Sequence, residues 1–291
     1  MGGDLSFFAL LEERHKSLGH RLCVGIDPRI KGLDGFLAQQ CQALGPAAFI
    51  EKQSRLILER CQNRVGSVKF QSAYFEALGD DGFRILRDLF AAAKNLGLQT
   101  IYDAKRGDIG STLEAYGDAA FEFLDADAVT FAPYMGLETL NVWNGWLNQG
   151  KGVYVVVRSS NPEGQLNQSA KVAGRGTIAE SLLHAVRAWN QQKGDQLGCV
   201  WGVQNVAELP PHDDLPPLLM PGVGAQGATV DEKLQRVLSI QSQSIVPISR
   251  GISHSRESTA PANWSEYEQS LDNALENYVN LLKSPEVHGR F

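Results

Sequence analysis

The sequence predicts an α/β protein built as a single (β/α)8 barrel, and three observations carry that expectation. Short apolar runs rich in β-branched residues alternate with amphipathic stretches along nearly the whole chain, and there are eight of them. The fifth, Val153-Tyr154-Val155-Val156-Val157, has no polar alternation, as suits a parallel strand covered on both faces. With 291 residues and 43% apolar content, the chain can bury one large core, and no stretch reads as a linker between domains. An open doubly wound sheet produces a similar alternation; the count of eight, the number that closes a barrel, separates the two.

Taken in order, the expected strands are Leu22 to Ile26, Ser67 to Phe70, Leu98 to Tyr102, Ala128 to Phe131, Val153 to Val157, Cys199 to Val203, Leu218 to Pro221 and Ile245 to Ile248. Between them the helical period is legible. Phe83, Leu86, Phe90 and Ala93 recur at helical spacing as a core stripe, as do Val230, Leu234, Val237 and Leu238. Tyr267, Leu271, Leu275, Tyr278 and Leu282 give the eighth strand its helix. The expected organisation is one barrel domain over 1–291 with an N-terminal helical extension and a C-terminal helix.

Composition narrows the function classes. A formal net charge of -6 argues against a general nucleic-acid binder, which needs a basic face to release counterions, whereas a phosphorylated small molecule needs only local basic groups and backbone donors. The four cysteines are widely spaced, and Cys23 and Cys199 lie in apolar strand-like runs, the pattern of reduced thiols in a cytoplasmic protein without disulfides or zinc. No run has the length of a membrane span, and the start lacks the apolar core of a signal peptide. The myristoylation-like start, two Asn-x-Ser sequons and the Arg106-Gly107-Asp108 tripeptide are short chance matches.

Chemistry concentrates in Asp103-Ala104-Lys105-Arg106-Gly107-Asp108-Ile109-Gly110-Ser111-Thr112. Side chains alternate along a strand, so Asp103 and Lys105 are expected on the same side, with Asp108 past the strand end, able to cross a cleft or reach another subunit. Two carboxylates around one ammonium can stay ionised in a shielded place only by holding one another. A solvated loop with an incidental salt bridge is the plain alternative. Against it, the charges stand where a strand hands over to a helix, the edge at which parallel α/β folds bind ligands.

Two more strand ends point to the same mouth. Asp27 closes the first run, and Lys69, in Val68-Lys69-Phe70, is costly to bury unless paired, with Asp103 the obvious partner. Gly222, Gly224 and Gly227 spell a dinucleotide fingerprint in the wrong place, since they follow the seventh strand and no acidic residue stands about twenty positions on. That position suits the phosphate site of a barrel, where Arg250 at the end of the eighth strand offers a planar fork. None of the six histidines falls in these motifs, although His254 lies near Arg250.

The run from Thr100 to Thr112 resembles the signature of the orotidine 5′-phosphate decarboxylase family without departure. Val24-Gly25-Ile26-Asp27-Pro28, Val68-Lys69-Phe70-Gln71, Ser159-Ser160-Asn161-Pro162-Glu163-Gly164, and Pro221 to Gly227 with Ser249-Arg250-Gly251-Ile252 line up in the family's order. The serine-containing piece resembles the longer, bacterial-type branch. Ser249 departs from the pattern, since many relatives carry glycine there.

The resemblance implies decarboxylation of orotidine 5′-monophosphate (OMP) to uridine 5′-monophosphate (UMP), the last step of pyrimidine nucleotide synthesis, without metal or organic cofactor. It implies Lys105 as proton donor to C6 within a network of Asp103, Lys69 and Asp108. It further implies Asp27 on the ribose hydroxyls, Ser159 or Ser160 on the pyrimidine with Ser160 favoured, Gln226 reaching over the substrate, and Arg250 on the phosphate. Asp108 and Thr112 are given to the neighbouring subunit's site, which makes a homodimer part of the mechanism. Two rivals stand beside it: a sister barrel lyase of the hexulose-phosphate synthase type, acting on a sugar phosphate with magnesium, and a non-catalytic nucleotide binder.

Overall fold

β-Branched and aliphatic residues cover both faces of short strands here because each strand is buried twice, once against helices and once inside a closed cylinder. The computed structural model describes residues 5–210, 215–224, 229–254 and 260–283. Eight parallel strands form one sheet: β1 (Leu22–Ile26), β2 (Ser67–Gln71), β3 (Gln99–Arg106), β4 (Ala128–Phe131), β5 (Gly152–Arg158), β6 (Leu197–Trp201), β7 (Leu218–Leu219) and β8 (Val246–Ile248). Neighbours pair in sequence order, and β8 returns to β1 with Leu22 opposite Val246. A bridge between Leu219 and Ile245 joins β7 to the start of β8, so the sheet closes into a TIM barrel. Every expected strand is present, displaced by a few residues at most.

The fifth run shows why polar alternation is missing. Val153, Val155 and Val157 pack outward into the helix layer, while Tyr154 belongs to a separate interior cluster with Cys23, Ile101, Ala128, Val200, Leu219 and Ile245. The helix Phe7–Leu18 plugs the N-terminal end of this interior: Phe7, Phe8 and Leu11 join the cluster, and both phenyl rings meet Tyr154 edge-on. With that end filled, the cavity can open only at the C-terminal ends of the strands.

The helical stripes are core with one correction. In the helix Asp80–Asn95, Leu86, Phe90 and Ala93 are buried together with Ile85 and Leu89, but Phe83 is 46% exposed. Gly82 takes the inward place of the first turn, pressed against the Phe75 carbonyl, and the next residue, about 100° round the helix, turns to water. The helix Trp264–Leu281 follows β8, buries Tyr267, Leu271 and Leu275, and starts where the Asn263 side chain accepts from the Glu266 N–H. All four cysteines are buried and free. Among the described residues, no helix is long and apolar enough to cross a membrane.

Candidate active site

The ends of β1, β2 and β3 bring four charges into one network. Lys69 Nζ lies 2.9 Å from Asp103 Oδ2 and 3.5 Å from Asp27 Oδ1, and Lys105 Nζ lies 2.6 Å from Asp103 Oδ1. Gln71 Nε2 and Thr130 Oγ1 donate to Asp103 at 3.1 and 3.0 Å, so both carboxylate oxygens are saturated. Lys69 and Asp103 are buried, whereas the Lys105 side chain is 48% exposed and projects towards the opening.

Burial alone would push the Asp103 carboxyl up; the Lys69 and Lys105 ammonium charges override it and hold Asp103 well below the ordinary carboxylate range. Burial opposes the Lys69 charge in the same way, and Asp103 with Asp27 reverses this and raises the lysine well above its usual value. Lys69 and Asp103 therefore hold each other in their charged forms. Asp27 is oriented by Ser249, whose hydroxyl donates to Oδ2 at 2.7 Å. Its other oxygen, Oδ1, is buried and accepts no hydrogen bond.

Simple alternation does not put Lys105 beside Asp103. The register between β3 and β4 slips between Tyr102 and Arg106, a bulge in which Lys105 takes the left-handed conformation at φ 47°. Thr130 of β4 holds this bend by accepting the Lys105 backbone N–H at 2.8 Å. Arg106 turns away from the network to pair with Glu76 and stack over Tyr116.

These groups face a cavity of about 330 Å³ whose walls divide by chemistry. Val156, Val200, Leu219 and Pro247 supply its apolar wall, and Arg29, Arg250, Gly222 and Val223 line it as well. Ser159, Ser160 and Asn161 supply the remaining polar edge. A flat, partly apolar ring bearing an anionic tail matches this division.

Of the residues expected from sequence, Asp27, Lys69, Asp103, Lys105, Ser159, Ser160 and Arg250 line one cavity. Asp108 and Thr112 do not line it: Asp108 Oδ1 accepts the Ile109 N–H at 2.8 Å, and Thr112 is exposed on the helix Gly110–Gly117. Gln226 lies outside the described residues. Gln71, Thr130, Ser249 and Arg29 enter the site without having been assigned a role from sequence. Gln71 could have been found by strand period from Lys69, and Thr130 by the inward alternation of β4 from Ala128. No local pattern marks Arg29, and His254, whose Nδ1 meets Ser253 Oγ at 2.7 Å, does not line the cavity.

Residues 20–263 match the model of the family described as "Orotidine 5'-phosphate decarboxylase / HUMPS family". The chain belongs to this family. Among relatives of the orotidine 5′-phosphate decarboxylase / HUMPS family, the orotidine 5′-phosphate decarboxylase of Myxococcus xanthus is 36% identical over 236 residues, covering 77% of this chain and 80% of its own. The solved Leishmania donovani OMP decarboxylase superposes with a TM-score of 0.73 at 25% identity, covering 96% of this chain and 99% of that one. The Leishmania donovani UMP synthase also gives a TM-score of 0.73, at 27% identity over 96% of this chain, which spans only 56% of that longer protein.

Proposed function

We propose that the chain is a carboxy-lyase that converts OMP to UMP and CO2 at the mouth of the barrel, with Lys105 as the proton donor. One observation carries the reading: an Asp103 carboxylate saturated by Lys69, Lys105, Gln71 and Thr130 holds the Lys105 ammonium over a cavity of nucleotide size. The pyrimidine lies against the apolar wall with Ser160 at its edge, the ribose hydroxyls donate to the Asp27 carboxylate, and Arg250 receives the phosphate together with Arg29.

Loss of CO2 breaks the bond from C6 to the carboxylate carbon and leaves the electron pair on C6, with no adjacent group to delocalise it. A fixed ammonium next to that atom stabilises the developing charge without reorganisation and then donates the proton that completes UMP. Lys105, nearly half exposed and anchored by Asp103, is the side chain that can meet both demands. Solvent returns its proton. The substrate phosphate, gripped away from the reacting carbon, contributes binding energy that can be used to align the ring. Asp108 and Thr112 act in the site of a second copy of the chain, so the working unit is a homodimer in the cytoplasm, with no nucleic acid or membrane as partner.

The Lys69 ammonium stands between the Asp27 and Asp103 carboxylates where a divalent cation would otherwise be needed, which favours this reading over magnesium-dependent sugar-phosphate chemistry. A spectrophotometric assay of OMP consumption with and without chelator tests it. Chelator-resistant turnover that disappears in Lys105→Ala with the fold intact is expected. Failure to turn over OMP, or near-normal turnover in that variant, overturns the proposal.

A further inference from the structure

The two serines at the end of β5 have different jobs, and the difference is written in their hydrogen bonds. Ser159 is fully engaged: its N–H donates to Gln168 Oε1 at 2.9 Å, its hydroxyl accepts from Gln168 Nε2 at 2.9 Å, and its carbonyl accepts from Asn205 Nδ2 at 2.9 Å. Ser160 has no hydroxyl partner among the described residues, and it lines the cavity. Gly202 sets how close it lies, since a Cβ there would stand 2.6 Å from the Ser160 Cα.

The clasp on Ser159 has a charged root. Arg158 is 1% exposed and grips Glu208 with both arms of its fork, at 2.9 and 3.0 Å, while its third nitrogen donates to the same Gln168 Oε1 at 3.3 Å. Its carbonyl accepts the Gly202 N–H at 2.7 Å. Residues from the end of β5, from the short helix Gln165–Gln168 and from the segment Val203–Glu208 after β6 thus converge on one turn of backbone. A buried guanidinium is costly unless paired, and this one is placed where its pairing fixes the loop root and touches nothing in the cavity.

We infer that Gln168, with Arg158 and Glu208 behind it, is a positioning residue that holds Ser159 as a clasp so that Ser160 alone presents its hydroxyl to the base of the substrate. The inference rests on the proposed function, in which Ser160 meets the ring, and adds the residues that set that serine in place. The clasp bears on the end of β5, whereas Arg29 follows β1 and Arg250 follows β8, strands that do not pair with β5 or β6.

The test compares ligands with and without a base. In Gln168→Leu, which keeps the volume and removes every polar bond, KM for OMP and the inhibition constant of UMP rise about five- to tenfold, the scale of one lost hydrogen bond, while that of ribose 5-phosphate stays within about twofold. Ser160→Ala gives the same base-selective loss, and Ser159→Ala gives a smaller one because its backbone N–H still reaches Gln168. Equal weakening of UMP and ribose 5-phosphate in Gln168→Leu, or unchanged constants for both, overturns the inference, as does a base-selective loss in Ser159→Ala that exceeds that of Ser160→Ala. If Gln168→Leu fails to fold, the two serine variants decide the question by themselves. An inactive wild-type chain that still shows the UMP-selective loss sinks the proposed reaction and leaves the positioning role standing.

Discussion

The backbone N–H of Lys105, held at φ 47°, donates to the hydroxyl oxygen of Thr130 at 2.8 Å. That bond ties the one left-handed residue of β3 to the neighbouring strand, and the same hydroxyl donates a hydrogen bond to Asp103 Oδ1 at 3.0 Å. A single oxygen therefore fixes both the backbone from which the reactive lysine springs and the carboxylate that aims it.

Thr130→Val keeps the shape and removes both bonds. A buried carboxylate loses one donor and a left-handed backbone residue loses the partner of its N–H, so stability falls by about 1–3 kcal/mol. The turnover number should fall by about tenfold or more while KM changes little, because the substrate-binding groups lie elsewhere and only the aim of the ammonium is spoiled. Urea unfolding and steady-state kinetics on the same preparation check the two halves.

Much of this site was legible in the sequence, for physical reasons that also mark the limit. Asp103, Lys105 and Lys69 announce themselves because charged residues at the ends of apolar strands must find partners. The bulge at Lys105 was not legible: alternation predicts the same side for Asp103 and Lys105, so the right pairing follows from a rule the backbone does not obey there. Phe83 fits the helical period and still faces water, because period cannot tell which of two adjacent residues, Gly82 or Phe83, takes the inward place. Alternation from Ala128 turns Thr130 inward, but that it meets Asp103 depends on β3 and β4 lying side by side, which one stretch of chain does not state, and no local pattern marks Arg29.

Ser249 and Gly25 form a matched pair at the barrel mouth. A Cβ at position 25 would stand 2.1 Å from Ser249 Oγ, so the serine needs the glycine opposite it. Ser249→Gly frees Asp27 Oδ2 and should raise KM for OMP by about threefold to tenfold, the worth of one hydrogen bond that orients a ribose acceptor. Gly25→Ala should cost more, and adding Ser249→Gly to it should recover part of the loss. Additive losses across that double-mutant cycle would show that the two positions do not meet.

Acid should weaken the plug at the closed end before it reaches Asp103, whose carboxyl Lys69 and Lys105 hold well below the ordinary range. Burial pushes the His15 imidazole down to about 4, and the neighbouring Arg21 and His20 oppose its protonation while its Ser242 carbonyl partner and Glu12 favour it. Nδ1 meets the Ser242 carbonyl at 2.9 Å, and Nε2 is buried without a partner, so a second ring proton has nowhere to go. The unfolded chain takes up that proton near pH 6.5 and the folded one near 4, so this histidine's contribution is full above pH 6.5 and is lost as pH falls through about 4, a change of about 3 kcal/mol. His15→Asn, which can keep a donor near Ser242, should flatten the fall in urea stability over this window. An unchanged slope would assign the acid sensitivity to His20, whose burial also lowers it.

Asp108 offers the sharpest test of a shared site, because it lies outside its own cavity with its carboxylate turned onto the Ile109 N–H. Beside it, Ile109 is 59% exposed, and Tyr134 and Met135 at the end of the neighbouring strand β4 are 94% and 53% exposed, apolar surface of the kind a second copy would cover. Lys105→Ala and Asp108→Asn chains should each be nearly inactive alone. If each site combines Lys105 of one chain with Asp108 of the other, a mixed dimer carries one doubly damaged site and one intact site. Unfolding and refolding an equal mixture should then restore about a quarter of wild-type activity, since half the dimers are mixed and each holds one good site. A mixture no more active than the average of its parents would put Asp108 to work within its own chain.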